Sequence, residues 1–244
     1  MEIDKKYVPG LFTALNLFCG MLSIVQSMEG QFFAAAWFII LAVLCDGMDG
    51  KLARLTHTET RFGFELDSLC DVVSFGVAPA ILCYRWVFQD LRVFGFFIVF
   101  FYLMAGVYRL TRFNVIQNGD RTHGYLGLPI PVAAMGFSGF YLFHDRFDPG
   151  NPAPAAVVLC TVFALIMVSG IRYDWPRLNF HGSTLERIGS VLLLAGVILM
   201  AVIPGVVLFP VLSLYIIQGI IRAVAACIRG DVSAGDLFHP IKSL

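Results

Sequence analysis

Residues 46–71 read DGMDGKLARLTHTETRFGFELDSLCD, and four aspartates, Asp46, Asp49, Asp67 and Asp71, stand at or near the ends of two strongly apolar segments. Charge beside hydrocarbon is costly and persists where it pairs, binds a metal or acts on a substrate. Asp46 and Asp49 are spaced i,i+3, and Asp67 and Asp71 i,i+4, so on helices each pair shares one face. Two helices joined by a short turn could aim all four carboxylates into one gap. The Lys and Arg residues in the window are Lys51, Arg54 and Arg61, too few to neutralise the cluster as ion pairs. Without a counterion the carboxylates repel one another. A hard divalent cation held through oxygen, Mg²⁺ or Mn²⁺, resolves that repulsion. The window therefore reads as a metal site. It is not an EF-hand, because the D-x-D-x-D-G register and the closing Glu are missing.

The elements that position these acids are membrane helices. The chain has 244 residues, of which 58% are hydrophobic and only 14% charged, and its mean hydropathy is +0.79. Soluble domains carry about 25% charged residues. Eight apolar segments are long enough, at about 17–25 residues, to cross a bilayer. They centre on residues 11–28, 31–54, 66–88, 92–114, 128–145, 153–172, 187–203 and 207–227. Pro204 and Gly205 divide the last two as a tight turn would, although a single broken segment reads similarly. No repeat, linker or low-complexity tract interrupts them. The expectation is one all-α integral membrane domain over residues 1–244, with about eight spans. The apolar run after Lys5 and Lys6 has no clear small-residue cleavage site and reads as a retained helix.

Charge sets the expected orientation. With eight spans, Arg85, Arg92 and Arg146 fall on one side and every other Lys and Arg on the opposite side, a strong positive-inside bias. The four aspartates lie on the positive side, so the site is expected to open to the cytoplasm. If the second helix starts near Gln31, Asp46 lies about 22 Å along it at 1.5 Å per residue, just inside the hydrocarbon boundary. That depth suits a lipid head group whose acyl chains stay in the bilayer. Gly47, Gly50 and Gly63 lack side chains and allow a ligand or helix to approach the backbone closely.

The fixed residues Asp46, Asp49, Gly50, Ala53, Arg54, Gly63, Asp67 and Asp71 match the pattern D-x2-D-G-x2-A-R-x8-G-x3-D-x3-D at every position. That pattern resembles the signature of the CDP-alcohol phosphatidyltransferases. The stretches PGLFTALNLFCG (9–20), DSLCDVVSFGVAPA (67–80), YRLTRFN (108–114) and GLPIP (127–131) are similar to the membrane-embedded branch that uses L-serine as acceptor. Gly10 departs from the Asn that relatives often carry there. The resemblance implies transfer of the phosphatidyl group of CDP-diacylglycerol to L-serine, with release of CMP, at the inner membrane. It implies that Asp46, Asp49, Asp67 and Asp71 hold divalent metal, in this family two ions, and that Asp71 is also the general base. It implies contacts from Thr13, Gly50, Arg54 and Thr60 to CDP-diacylglycerol, and a homodimer.

Arg109, Arg112 and Asn114 form a second polar cluster at the end of the fourth segment. An arginine fork binds a carboxylate in bidentate fashion, and serine carries one; the resemblance favours Arg112. Positive-inside anchoring is the plainer reading of both arginines, and aromatic belting that of the Arg172–Arg187 loop. Within the same family, glycerol 3-phosphate, an inositol phosphate or choline are the alternative acceptors. A different class, a cation transporter, would also place acids in a membrane, but its acids would lie at the midplane of several helices within repeats. The six cysteines show no CxxC pairing and read as small core residues. The five histidines show no ligand spacing, and Ser74 and Ser169 have no His partner to activate them. Neutral net charge and the absence of a basic run give no support to nucleic-acid binding.

Overall fold

The computed structural model describes residues 8–56, 60–117, 126–148, 150–171, 173, 199 and 203–229. Among them the architecture is all helical. Helix α1 covers Val8–Met28 and α2 covers Phe32–Thr56. A continuous helical run, Arg61–Leu91, forms α3. Then follow α4 (Val93–Gln117), α5 (Ile130–Phe147), α6 (Ala153–Val168) and α7 (Pro204–Ile228). Five of them, α1, α2, α3, α4 and α7, are long and apolar enough to cross a membrane, and α6 is apolar but shorter. The expected seventh span, 187–203, lies outside the described residues except for its positions 199 and 203. The break expected at Pro204–Gly205 is where α7 begins.

Proline and capping chemistry explain where the helices start. Thr60 sits extended before α3 and its hydroxyl accepts the Gly63 N–H at 3.1 Å, so the helix starts at Arg61, earlier than its apolar run. Pro129 and Pro131 do not interrupt α5. They occupy its N-cap and first turn, where a missing N–H costs nothing.

Pro79, by contrast, lies inside α3, and the helix widens around it. Val72–Val77 is a π-helical turn in which the Ala78 N–H reaches back to Val73 O. Pro79 brings no N–H for the carbonyl one turn earlier, that of Phe75. The buried Tyr102 hydroxyl of α4 donates to Phe75 O at 2.8 Å in its place.

Small residues set the helix spacing. A Cβ on Gly20 of α1 would collide with Ser74 of α3, and the Ser74 hydroxyl donates to the Asn16 carbonyl at 3.0 Å. Such close approach is how helices associate where lipid removes most of the hydrophobic driving force. Helix α5 is the central element, buried along Val132–Ala134 and Gly136–Leu142, and it packs against α2 and α7. Gly136 makes room for the Phe163 ring, which meets Phe137 edge-on at 5.0 Å, while Phe137 meets Tyr102 at 4.9 Å. All six cysteines are free. This core braces α1 to α4, whose ends converge on the aspartates.

Candidate active site

Three of the four acids gather in one close group, and Asp71 lies a turn beyond Asp67. Asp46 and Asp49 lie toward the C-terminal end of α2, and Asp67 and Asp71 follow the Thr60 cap by two and three turns. Asp46, Asp49 and Asp67 each offer a carboxylate oxygen, and the three oxygens lie within 4.8 Å of one another. Asp71 acts electrostatically on all three and is buried, as is Asp49.

Two like charges at that separation repel by about 3 kcal/mol at an effective dielectric near 20. One oxygen of Asp67, Oδ1, is buried with no hydrogen-bond partner among the described residues. An orphaned carboxylate oxygen beside two others is a donor set for a hard cation. The residues present therefore fit a divalent metal, with Asp46, Asp49 and Asp67 as the nearest group.

Helix α1 supplies the support. The Thr13 hydroxyl donates to Asp49 Oδ2 at 3.1 Å, and the Asn16 amide Nδ2 donates to Asp71 Oδ1 at 3.1 Å. Thr13, expected to touch the nucleotide, is here the donor that orients the Asp49 carboxylate. The Gly50 N–H donates to the same Asp49 carboxylate. Thr60 caps α3 through its hydroxyl. Arg54 lies in the last turns of α2, with its side chain outside the described part. A Cβ on Gly47 would meet nothing within 4 Å, so the backbone beside Asp46 borders open space.

The second polar cluster divides. Arg109 is buried, its charge acts on Asp46, and its guanidinium lies 5.3 Å from the Phe113 ring centre. Arg112, the residue favoured for an acceptor carboxylate, has other partners. Its Nη1 donates to Val168 O at 2.9 Å. Its Nη2 lies within donating distance of Leu126 O at 2.8 Å, Ser169 O at 3.1 Å and Met167 O at 3.3 Å. These are the orphan carbonyls at the C-terminus of α6 and one from the loop before α5. Gly127, at φ +77°, fits beside them where a Cβ would collide with Met167 O. Asn114, also expected at the acceptor, bonds Ser68 of α3 through Nδ2 at 3.0 Å. Arg112→Met should therefore lower stability by about 2–3 kcal/mol, through carbonyls left without donors. The check is the thermal transition of purified protein in detergent.

Asn16 was not evident as a site residue from sequence. The available signal was a polar amide inside an apolar helix, one turn after Thr13 on the same face.

Comparison with known proteins identifies the family. A family model described as CDP-alcohol phosphatidyltransferase matches residues 6–168. A Helicobacter pylori protein named CDP-diacylglycerol–serine O-phosphatidyltransferase is 35% identical over 225 residues, 91% of this chain and 93% of its own. A Methanothermobacter thermautotrophicus archaetidylserine synthase is 39% identical over 193 residues, 75% of this chain and 78% of its own. A Bacillus subtilis protein with the same name as the Helicobacter one is 34% identical over 177 residues, 72% of this chain and 94% of its own.

Proposed function

The chain belongs to the CDP-alcohol phosphatidyltransferase family, and on that premise we propose that it transfers the phosphatidyl group of CDP-diacylglycerol to L-serine. The observation that carries the reading is the gathering of Asp46, Asp49 and Asp67 within 4.8 Å at the α2–α3 junction, with Asp71 beside them. The serine acceptor is supported by the names of the relatives.

In this reading the four aspartates hold divalent cations, Mg²⁺ or Mn²⁺. When bound, the ions neutralise the diphosphate of the donor and the charge that develops as its bridge breaks. Gly50, Arg54 and Thr60, with Thr13, would contact the nucleotide and its phosphates, as the family resemblance implies. Asp71 takes the proton from the serine hydroxyl as its oxygen attacks the phosphorus that carries diacylglycerol. The bond from that phosphorus to the bridging oxygen breaks, and the electron pair leaves on CMP. Products are phosphatidylserine, CMP and a protonated Asp71, which returns its proton to solvent.

Arg109 is the better-placed fork for the serine carboxylate, because its charge already acts on Asp46 while Arg112 is committed to carbonyls. Arg109→Lys keeps the charge and loses the fork. It should raise the KM for serine about tenfold or more while the KM for the donor moves little; equal rises would place Arg109 on the donor instead.

The function is tested with purified protein in detergent, CDP-diacylglycerol, Mg²⁺ or Mn²⁺, and CMP release as readout. L-serine should outpace glycerol 3-phosphate, inositol phosphate and choline at equal concentration. A faster rate with any of those three would reject serine and leave the family standing.

The site is proposed to face the cytoplasm from the inner membrane, on the strength of the Lys and Arg distribution. In a background without the native cysteines, Thr58→Cys and His123→Cys should label only from the cytoplasmic side. Asp148→Cys should label only from the opposite side. Labelling of position 58 from outside intact cells would reverse the topology.

A further inference from the structure

We propose that Asn16 is a positioning residue for the reaction: its amide fixes Asp71 so that one chosen carboxylate oxygen, Oδ2, meets the acceptor hydroxyl. The inference rests on the reading of Asp71 as the general base.

Three observations carry it. Asn16 is fully buried, and its Nδ2 donates to Asp71 Oδ1 at 3.1 Å across the α1–α3 contact. The same residue is pinned to α3 a second time, because its main-chain carbonyl accepts the Ser74 hydroxyl at 3.0 Å. Ser74 lies one turn beyond Asp71, and Gly20, one turn beyond Asn16, admits it where any Cβ would collide. The amide is therefore held against the carboxylate by two contacts on one helix face, and its hydrogen bond favours one carboxylate orientation.

The third observation is what the arrangement leaves unmade. Asn16 Oδ1 is buried with no hydrogen-bond partner among the described residues. A buried acceptor without a donor carries a desolvation penalty that an apolar side chain of similar shape would avoid. Leucine would fill the space and remove that penalty, so packing alone gives no reason for the amide. The donor to Asp71 does. A hydrogen bond to one carboxylate oxygen leaves the other as the accessible proton acceptor. Supporting donors of this kind orient reacting and ligating groups, and their loss costs about 10–100-fold in activity.

A merely structural amide and a positioning amide predict opposite patterns. Asn16→Leu and Asn16→Asp are compared with wild type for kcat, for KM with CDP-diacylglycerol and with L-serine, and for thermal stability, with Asp71→Asn in parallel. The expected result is a fall in kcat of about 10–100-fold for Asn16→Leu. Both KM values should stay within about threefold. The melting temperature should move little, because relief of the unpartnered Oδ1 is set against the donor that buried Asp71 Oδ1 loses. Asn16→Asp, which replaces the donor by a second acceptor, should be slower still.

A kcat within about threefold of wild type in folded Asn16→Leu would overturn the inference. So would loss of the folded peak in both variants, which would make the amide structural. The underlying reading fails separately, if Asp71→Asn turns over like wild type. An inactive Asp71→Asn beside a fully active Asn16→Leu defeats the inference alone.

Discussion

Asp67→Asn is expected to abolish CMP release while leaving the protein at least as stable in the absence of metal. The two effects have opposite signs because one charge does two things. In the bare site the Asp67 oxygen lies within 4.8 Å of oxygens from Asp46 and Asp49, and each such contact is repulsive by about 3 kcal/mol at an effective dielectric near 20. Removing one carboxylate charge relieves both repulsions, so metal-free thermal stability should hold or rise. With substrate the same charge is indispensable. A diphosphate cannot enter a pocket of carboxylates unless cations reverse the local sign, and that stabilisation is worth several kcal/mol, roughly a thousandfold or more in rate. Asp46→Asn should behave alike. Asn keeps the shape and one carbonyl oxygen, so a loss of activity reports charge and not packing. The measurement pairs CMP release with a melting curve recorded in EDTA and again in excess Mg²⁺. The metal-induced stabilisation of wild type should shrink in both variants. Comparable release from either folded variant, or full wild-type activity in excess EDTA, would rule out the cluster as the metal site.

Why these acids were legible in the sequence, and their supports were not, has a physical explanation. Periodicity along a helix is a local property. The i,i+3 and i,i+4 spacings of the aspartates, with a short connection between α2 and α3, are enough to bring the carboxylates into one gap. Composition likewise identifies long apolar helices without any tertiary information, and Pro204 marks the start of α7. Arg112 shows where such reasoning stops. A charged fork at the end of a membrane helix looks the same in sequence whether it awaits a carboxylate or caps a neighbour. Its four carbonyl contacts come from residues 126 and 167–169, which only the packed fold brings to it. Asn16 is the converse case. One amide in an apolar helix carries little signal until α3 places Asp71 against it. The widening of α3 was equally hidden: Pro79 announces a missing N–H, but that Tyr102 would serve the freed Phe75 carbonyl depends on the α3–α4 contact.

Asp71→Asn is expected to lose about 10²–10⁴-fold in turnover, the usual contribution of a general base, while the protein still binds CDP-diacylglycerol. The position of Asp71 distinguishes it from its neighbours. Asp46, Asp49 and Asp67 form the close group. Asp71 is a turn further along α3, buried, with one oxygen already taken by the Asn16 amide. The hydrogen bond alone does not set it apart, since Asp49 accepts one from Thr13; its place outside the close group of three does, and its second oxygen remains for a proton. Its loss should therefore fall on the step in which the acceptor hydroxyl is deprotonated, and only weakly on the donor, whose diphosphate keeps cations held chiefly by the other three. Asn at position 71 still meets the Asn16 side chain, as two amides can pair, so the helix contact survives. The experiment separates binding from chemistry. Donor affinity is measured by calorimetry in Mg²⁺ without serine, and turnover by CMP release at saturating substrates. Donor affinity within about threefold of wild type beside a hundredfold or greater loss of kcat assigns Asp71 the proton. If affinity and turnover drop by one common factor, Asp71 is chiefly a metal ligand, and the acceptor's proton must leave by another route.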